Sequence, residues 1–198
     1  MSPERLLAAY ERGVFPWYSA QQPILWWSPD PRMVLFPGEF RCSRSLGKTL
    51  RNGSFTTRID HAFGATIRGC AKPRRSGPDT WLNPEMIESY ERLHALGFGH
   101  CVETYREERL VGGLYGIQLG QIFFGESMFS LERDASKVAL ARLVDECRAR
   151  DIRLIDCQVA SAHLASLGAR EVSRGHFVAL LRLHAKRAPR GSWLPQPS

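Results

Sequence analysis

The sequence predicts a mixed α/β or α+β fold, and three features of its apolar pattern lead to that prediction. Residues 100–106, 109–118 and 121–129 read as three successive strands, with Glu107–Glu108 and Gly120 supplying the turns, so they predict a meander. Helical spacing precedes this meander and resumes after Asp134, which can cap the next helix. One further strand, at 152–159, follows that helix. A chain of 198 residues that is 43% hydrophobic can bury a core in one domain, or in one domain plus an appendage.

The elements before the meander are predicted to be short. Ser2 can cap a first helix that Gly13 ends. Residues 14–32 contain four prolines and three tryptophans, so neither a regular helix nor a central strand is expected there. The other elements expected in this part are a strand at 33–36, helices at 43–51, 60–70 and 84–96, and a Pro- and Gly-rich loop at 71–84.

The C-terminal part is predicted to contain two more helices. A short one ends at Gly168, and a last one begins after Ser173 and buries Phe177, Leu180 and Leu181. The polar, Pro-rich tail from Lys186 is expected to fray.

The positive charge of the chain is concentrated near its beginning. Residues 1–75 carry 12 Lys or Arg against 5 Asp or Glu, whereas residues 76–198 carry 15 of each. Nine cations face only Asp60 within residues 41–75. Such a concentration favours a polyanionic partner, although a solvated basic face is the ordinary alternative.

Other compositional features argue against several classes of protein. Five cysteines, odd in number and without a C-x-x-C pair, are typical of a reduced cytoplasmic protein. The six histidines show no ligand spacing, so no metal site is predicted. No apolar run approaches the ~20 residues of a membrane span, and no signal peptide opens the chain, so no membrane association is expected.

Polar side chains interrupt two otherwise apolar strands. Simple alternation would place Glu126 on one face of its strand with Phe124 and Met128, and would pair Asp156 with Gln158 on one face of the next strand. Buried carboxylates are costly unless they have partners or a chemical role. A polar network inside a core and a catalytic site are both consistent with this pattern.

From residue 84 onward the order of elements resembles acyltransferases of the GNAT type. Those enzymes hold the pyrophosphate of acyl-CoA on a glycine-rich loop that opens a helix. The corresponding loop here, SLERDASK at residues 130–137, contains no glycine. We therefore expect a GNAT-like acyltransferase domain whose acyl donor is something other than CoA. No cofactor is expected.

A set of longer motifs makes the resemblance specific. ERGVFPWYS, PILWWSPDPR, LVGGLYG, FGESMFS, ASK, LIDCQV, His163 and SLGA follow one another as in leucyl/phenylalanyl-tRNA–protein transferases, and they extend over essentially the whole chain. That family usually begins further upstream, with a segment that ends in Gly-Gly-Asp-Leu. The expected organisation is therefore a truncated remnant of a small N-terminal domain, residues 1–32, followed by the catalytic domain, residues 33–198.

The resemblance implies an activity and its partners. Members transfer Leu, Phe or, less readily, Met from aminoacyl-tRNA to proteins that begin with Arg or Lys, which marks those proteins for degradation. A cytoplasmic monomer without a cofactor is implied. Two alternative functions are an RNA-binding module without activity and an aminoacyl-tRNA-dependent ligase that acts on a non-protein amine. The intact set of Glu126, Asp156 and Gln158 argues against the first, and the tryptophans argue against the second.

The resemblance also implies three groups of substrate-binding residues. Aromatic side chains would hold the 3′-terminal adenosine, apolar side chains would form a cup for the donor side chain, and cations would contact tRNA phosphates. Plain core packing is an equal alternative for Leu143 and Ile155. The adenosine would be held by Trp17 and Trp81, the donor side chain by Leu114, Phe123, Met128, Leu143 and Ile155, and the phosphates by Arg41, Arg44, Lys48, Arg51, Lys72, Arg74 and Arg75.

Three residues match the catalytic positions of the family. Asp156 would orient or deprotonate the attacking amine, Gln158 would hold the amine or the carbonyl, and Glu126 would anchor the network. The sequence leaves open whether a protein carboxylate or the 2′-hydroxyl of the tRNA carries the proton. On this view Asp156→Asn keeps the fold with little change in melting and lowers the rate by ~10²–10⁴-fold.

Overall fold

The structure is a computed structural model that describes residues 1–18, 22–72 and 82–193. Its centre is a sheet of seven strands in the order β4-β5-β6-β7-β8-β3-β9, and a two-residue ladder of β1 with β2 lies apart from it. The strands are β1 (Phe15–Pro16), β2 (Trp26–Trp27), β3 (Arg32–Leu35), β4 (Thr56–Ile59), β5 (Gly99–Arg106), β6 (Arg109–Leu119), β7 (Ile122–Ser130), β8 (Leu154–Gln158) and β9 (Arg170–Val172).

Seven α-helices accompany the strands in the described ranges, and most begin at a capping side chain. The side chains of Ser2, Ser43, Asn83, Ser161 and Ser173 each accept a hydrogen bond from a backbone N–H of the first turn. The helices are α1 (Pro3–Tyr10), α2 (Arg44–Arg51), α3 (Phe63–Ala71), α4 (Pro84–Ala95), α5 (Ala135–Ala149), α6 (Ala162–Ser166) and α7 (Arg174–His184).

The two faces of the large sheet bury two apolar clusters. One cluster joins the sheet to α1, α3, α4 and α7, and it includes Tyr10, Tyr90 and Phe124. The other joins the opposite face to α2 and α5, and it includes Phe123 and Leu143. Apolar burial on both faces explains why the central strands carry long apolar runs, and the predicted mixed α/β class is confirmed.

Neighbouring strands β7 and β8 run parallel but stay paired only briefly. Their register covers Ile122↔Leu154, Phe123↔Ile155 and Phe124↔Asp156, whereas β7 continues to Ser130 and β8 to Gln158. No described residue takes the place of β8 beside the second half of β7 in the sheet. The strands therefore part next to Glu126 and Gln158, which opens a gap inside the sheet.

A β-bulge at Glu126 corrects the alternation that the sequence predicted for β7. Tyr115 lies opposite Ser127 and Gly116 lies opposite Gly125, so Glu126 is an extra residue in its strand. Phe124 consequently faces the cluster of α1 and α4, whereas Met128 lies on the other face with Phe123. The expectation that Phe124 and Met128 share a face was wrong because the bulge reverses the alternation between them.

Gly116 allows the strands to approach closely at this bulge. A Cβ atom at this position would lie 2.5 Å from the Phe123 ring, which is closer than real Cβ contacts come. The close approach of backbone and ring is therefore possible only because this residue has no side chain.

Several other expectations need correction. Four strands, the two-residue β1 and β2 and the edge strands β4 and β9, were not predicted. Asp134 precedes α5 but makes no capping hydrogen bond, and its carboxylate instead pairs with Lys137 at 2.8 Å. The tail does not fray as far as Trp193, because Trp193 is 5% exposed and stacks on His100 with ring centroids 4.6 Å apart.

The predicted division into residues 1–32 and 33–198 stays a prediction. The boundary falls within β3, and Leu6 and Tyr10 of the first part share an apolar cluster with the larger part. Within the described ranges, none of the helices has the length and apolar character needed to cross a membrane. Three predicted site residues, Arg74, Arg75 and Trp81, lie outside the described residues.

Candidate active site

A cavity of about 330 Å³ opens where β7 and β8 part. Glu126 and Gln158 also line a second, smaller cavity, so they mark the boundary between the two, which we call the mouth, and most other residues that line the larger cavity are apolar. All five residues predicted to form the donor cup line it, together with two leucines that the sequence did not single out. The apolar lining comprises Leu114, Phe123, Met128, Leu140, Leu143, Ile155 and Leu164. A space of this kind suits an uncharged side chain, because a charged one would be buried without a partner.

A smaller cavity of about 200 Å³ adjoins the same pair of polar residues. It shares Glu126 and Gln158 with the larger cavity, and Trp17 lines its other side. Trp17 is 41% exposed, and the Trp27 indole N–H donates to its backbone carbonyl at 2.8 Å. The structure thus places an accessible aromatic ring beside the polar pair, as stacking with a nucleobase requires.

Glu126 is buried and tied to two different parts of the fold. Its Oε2 accepts a hydrogen bond from the Tyr90 hydroxyl at 2.7 Å, and its Oε1 accepts one from Gln158 Nε2, also at 2.7 Å. The Tyr90 hydroxyl lies 2.8 Å from that of Tyr10, which extends the chain to α1. Burial raises the pKa of Glu126 to about 7, although the hydrogen bonds from the tyrosines and Gln158 oppose this rise.

Asp156 occupies a different environment from Glu126. It is fully buried, and its two oxygens bind the Arg32 side chain at 2.8 and 2.6 Å. Asp156 is not among the described residues that line either cavity. It therefore reaches the cavities only through neighbouring residues.

Gln158 connects the two carboxylates. Its backbone N–H donates to Asp156 Oδ1 at 2.9 Å, while its side-chain N–H donates to Glu126. Its φ angle is 64°, in the left-handed region that non-glycine residues rarely adopt. The carboxamide is thereby fixed at the mouth of both cavities.

The other side chains of interest at the cavities are Ser127, Cys157 and His163, and Cys157 is poorly suited to act as a nucleophile. Ser127 and Cys157 line both cavities. Burial raises the pKa of the Cys157 thiol, so the unreactive thiol form dominates at neutral pH. His163 lines the larger cavity, and burial lowers its pKa, with Lys137 adding to the effect.

The predicted phosphate-binding residues that the structure describes lie away from this network. Arg44, Lys48 and Arg51 share one face of α2 and are exposed. Arg41 and Lys72 are exposed as well. None of these five makes an ion pair with another described residue, whereas Arg58 and Arg68 of the same basic run pair with Glu108 and Glu91. Five cations in the described ranges are therefore free to meet an anion.

Sequence reasoning missed three residues that organise the site. Tyr10 and Tyr90 fit the apolar faces of their helices, and nothing in that spacing shows that their hydroxyls meet. Arg32 lies 124 residues from its partner Asp156. The bulge had a sequence signal, since glycines inside a strand often mark one, and Gly116 lies opposite Gly125.

Solved structures similar to this one differ strongly in sequence. A GCN5-related N-acetyltransferase from Kribbella flavida matches with a TM-score of 0.45 and 13% identity, over 83% of this chain and 58% of the other. An L-PGS from Bacillus licheniformis matches with a TM-score of 0.47 and 10% identity, over 80% of this chain and 66% of the other.

Sequence relatives are much closer. The leucyl/phenylalanyl-tRNA–protein transferase of Syntrophobacter fumaroxidans is 53% identical over 98% of this chain and 83% of its own length. That of Methylibium petroleiphilum is 57% identical over 96% of this chain and 74% of its own length. The family model described as leucyl/phenylalanyl-tRNA protein transferase matches residues 34–182, and the model of its N-terminal domain matches residues 1–30. The chain belongs to the leucyl/phenylalanyl-tRNA–protein transferase family.

Proposed function

We propose that this chain transfers a leucyl or phenylalanyl group from aminoacyl-tRNA to the N-terminus of a protein. The names of its relatives support this activity. The observation that carries the proposal is the apolar cavity whose mouth holds Glu126 and Gln158. Such a cavity can receive the donor side chain while its ester carbonyl stays beside two polar groups.

The reaction is the aminolysis of an ester. The neutral α-amino group of the acceptor attacks the aminoacyl carbonyl, a C–N bond forms, and the C–O bond to the 3′-terminal ribose oxygen breaks. The amine loses a proton and the ribose oxygen gains one. In the proposed complex, Trp17 stacks on the terminal adenine, and Trp81 takes the second stacking position that the family resemblance assigns to it.

Glu126 is the carboxylate best placed to handle the amine proton. It lines both cavities, and a pKa of about 7 suits a general base that works near neutrality. Gln158 donates its side-chain N–H to Glu126, which leaves its carbonyl oxygen to accept a hydrogen bond from the amine. Asp156 then acts indirectly, by holding Gln158 through the backbone.

The finer features of the reaction follow the family resemblance. The proposed acceptors are proteins that begin with Arg or Lys, the donors include Met as a poorer substrate, and the product is marked for degradation. The proposed protein is a monomer that works in the cytoplasm without a cofactor.

The proposal is tested by incubating the protein with labelled Phe-tRNA or Leu-tRNA and a peptide that begins with Arg. Label should appear in the peptide and not in a matched peptide whose α-amino group is acetylated. Binding of the tRNA without transfer would instead support an RNA-binding module. Transfer to small amines but not to the peptide would support a ligase for non-protein amines.

Donor choice should depend on the shape of the side chain at Cβ. Leu and Phe are unbranched there, whereas Ile and Val would place a methyl group against the wall formed by Leu114, Phe123 and Met128. We expect transfer of Leu and Phe to exceed that of Ile and Val by at least about tenfold. Competition between aminoacylated tRNAs measures this ratio. Equal rates for the four donors would show that the cavity does not select the donor.

Removing the Tyr90 hydroxyl should move the pH dependence of transfer. The hydrogen bond from Tyr90 lowers the pKa of Glu126, so Tyr90→Phe should raise that pKa further. A general base works only when it is deprotonated, and the rising limb of the pH–rate profile should therefore shift to higher pH. The acceptor amine is the same in both proteins, so a difference between the profiles reports on the enzyme.

Tyr115→Phe is the matched control for this change. The Tyr115 ring lines the larger cavity, but its buried hydroxyl has no hydrogen-bond partner among the described residues. Its loss should leave the profile unchanged. Equal profiles for wild type and Tyr90→Phe would show that Glu126 does not carry the proton.

The exposed cations of α2 should contribute to tRNA binding through phosphate contacts. Each phosphate contact adds ~0.7–0.9 to the slope of log affinity against log salt. Replacing Arg44, Lys48 and Arg51 by Ala should flatten the slope for whole aminoacyl-tRNA and leave the affinity for aminoacyl-adenosine unchanged. The matched control replaces three exposed cations near the C-terminus, Arg182, Lys186 and Arg187. Identical slopes for the two triple variants would show that the cations of α2 form an ordinary solvated surface and do not contact tRNA phosphates.

A further inference from the structure

We propose that Arg32 is a positioning residue for aminoacyl transfer, and that it acts through Asp156 to hold Gln158 at the mouth of the cavities. This inference rests on the proposed function. Arg32 lines neither cavity, so its role is separate from the roles of the groups that would touch the substrate.

Arg32 is among the largest fully buried side chains of the protein, with 1% of its surface exposed. Its guanidinium lies between the rings of Phe15 and Phe177, with its central carbon 4.8 and 4.5 Å from their centroids. Burying a cation in this way is costly unless its charge is matched. Both ring contacts favour this position of the guanidinium.

Hydrogen bonds fix the same guanidinium in its plane. Nε and Nη2 donate to the two oxygens of Asp156, and Nη1 donates to the Gly13 carbonyl at 3.2 Å. A two-point contact of this kind sets the orientation of the carboxylate as well as its position. Arg32 therefore connects β8 to the turn after α1 and to α7.

The orientation of Asp156 matters because its Oδ1 also accepts the backbone N–H of Gln158. Gln158 ends β8 with a φ of 64°, a conformation that persists only where neighbours impose it. Met33, the residue after Arg32, lies opposite Gln158 in the sheet. Arg32 thus supports the backbone of Gln158 through Asp156, while its chain neighbour Met33 pairs with Gln158 in the sheet, and the side chain of Gln158 donates to Glu126.

A purely structural role for Arg32 makes a different prediction. An ion pair with only a structural role would affect the stability of the fold. An ion pair that positions a reacting group also affects kcat, the rate at which the bound complex reacts. Misplacing a reacting group by about 1 Å can cost ~10²-fold in rate. The donor side chain is proposed to bind in the larger cavity, and neither Arg32 nor the residues that it contacts line that cavity, so donor affinity should be unaffected.

The test compares Arg32→Lys with wild type, at a temperature where both are folded by circular dichroism. Lysine keeps the charge and loses the two-point geometry. We expect kcat for transfer of Phe from Phe-tRNA to an Arg-peptide to fall by ~10–100-fold. The KM for Phe-tRNA and the affinity for a phenylalanyl-adenosine amide should change by less than about twofold.

Arg150→Lys is the matched control. Arg150 also pairs with a carboxylate, that of Glu146, and its guanidinium lies over the Trp193 ring, 4.9 Å from the centroid. It lines neither cavity. Its replacement should lower the melting temperature and leave kcat at the wild-type value.

Each possible result of this test either supports or overturns the role proposed for Arg32. A wild-type kcat for folded Arg32→Lys would overturn the inference, and so would equal losses of kcat in the two lysine variants. If Arg32→Lys does not fold, Phe177→Leu takes its place, because it removes one of the two rings beside the guanidinium and so loosens the two-point contact with Asp156, which should lower kcat. A full kcat for that variant would also overturn the inference. Absence of transfer by the wild-type protein would refute the proposed function itself.

Discussion

Replacing Glu126 by glutamine should lower the rate of aminoacyl transfer by ~10²–10⁴-fold. Glutamine has the same shape, and its one carbonyl oxygen can accept the hydrogen bond from Tyr90, provided that Gln158 turns its carboxamide to accept from the new NH2 group. It cannot accept a proton from the attacking amine at neutral pH. Single-turnover transfer from Phe-tRNA measures the effect, with the affinity for phenylalanyl-adenosine amide as the control. Transfer at the wild-type rate would assign the proton to the 2′-hydroxyl of the tRNA.

The same substitution should change how stability depends on pH. Burial raises the pKa of Glu126 from 4.5 to about 7. Between these values the folded protein holds a proton that the unfolded chain has released, so stability falls as pH rises through this window. The loss is at most about 3 kcal/mol, and Glu126→Gln should remove it. Urea unfolding at pH 5 and pH 8 measures the difference, and identical pH dependences would contradict the assigned pKa.

Replacing Asp156 by asparagine should damage both stability and rate. The sequence alone predicted that the fold would survive this change with little effect on melting. The structure alters that expectation, because the change leaves the buried guanidinium of Arg32 without a matching charge. Breaking a buried pair in this way costs about 3–5 kcal/mol. The rate should fall as well, since Gln158 loses the carboxylate that holds its backbone.

A matched variant separates the two effects of Asp156→Asn. Glu146 is another nearly buried carboxylate that pairs with two arginines, Arg142 and Arg150, and it lies outside the cavities. Glu146→Gln should lower the midpoint of urea unfolding and leave kcat unchanged. An Asp156→Asn protein with the melting temperature and the rate of wild type would show that the pair with Arg32 serves neither purpose.

The strands and helices with clear periodicity were predictable from the sequence. Strand β5 and helix α4 follow the expected spacing of apolar residues and start or end within a residue or two of the predicted positions. The four-residue β4 and the three-residue β9 were missed because they are short edge strands, and too few residues alternate to give a signal.

The candidate site was predictable only in part. The family resemblance named the apolar residues, and the structure brings all five of them to one cavity. Neither the family resemblance nor the alternation of side chains could show that Glu126 and Asp156 have different roles, because both are acidic residues in apolar strands. Their environments differ through partners that are distant in sequence: Tyr90 on α4 for Glu126, and Arg32 on β3 for Asp156. Such contacts appear only once the chain is folded.

The central claim is that the cavity between β7 and β8 holds the donor side chain next to Glu126 and Gln158. A crystal structure with phenylalanyl-adenosine, its ester replaced by an amide, tests it most directly. The account predicts the phenyl ring among Leu114, Phe123 and Leu143, the adenine on Trp17, and the carbonyl group within hydrogen-bonding distance of Gln158. A phenyl ring bound outside this cavity, or a carbonyl group remote from both Glu126 and Gln158, would contradict the account.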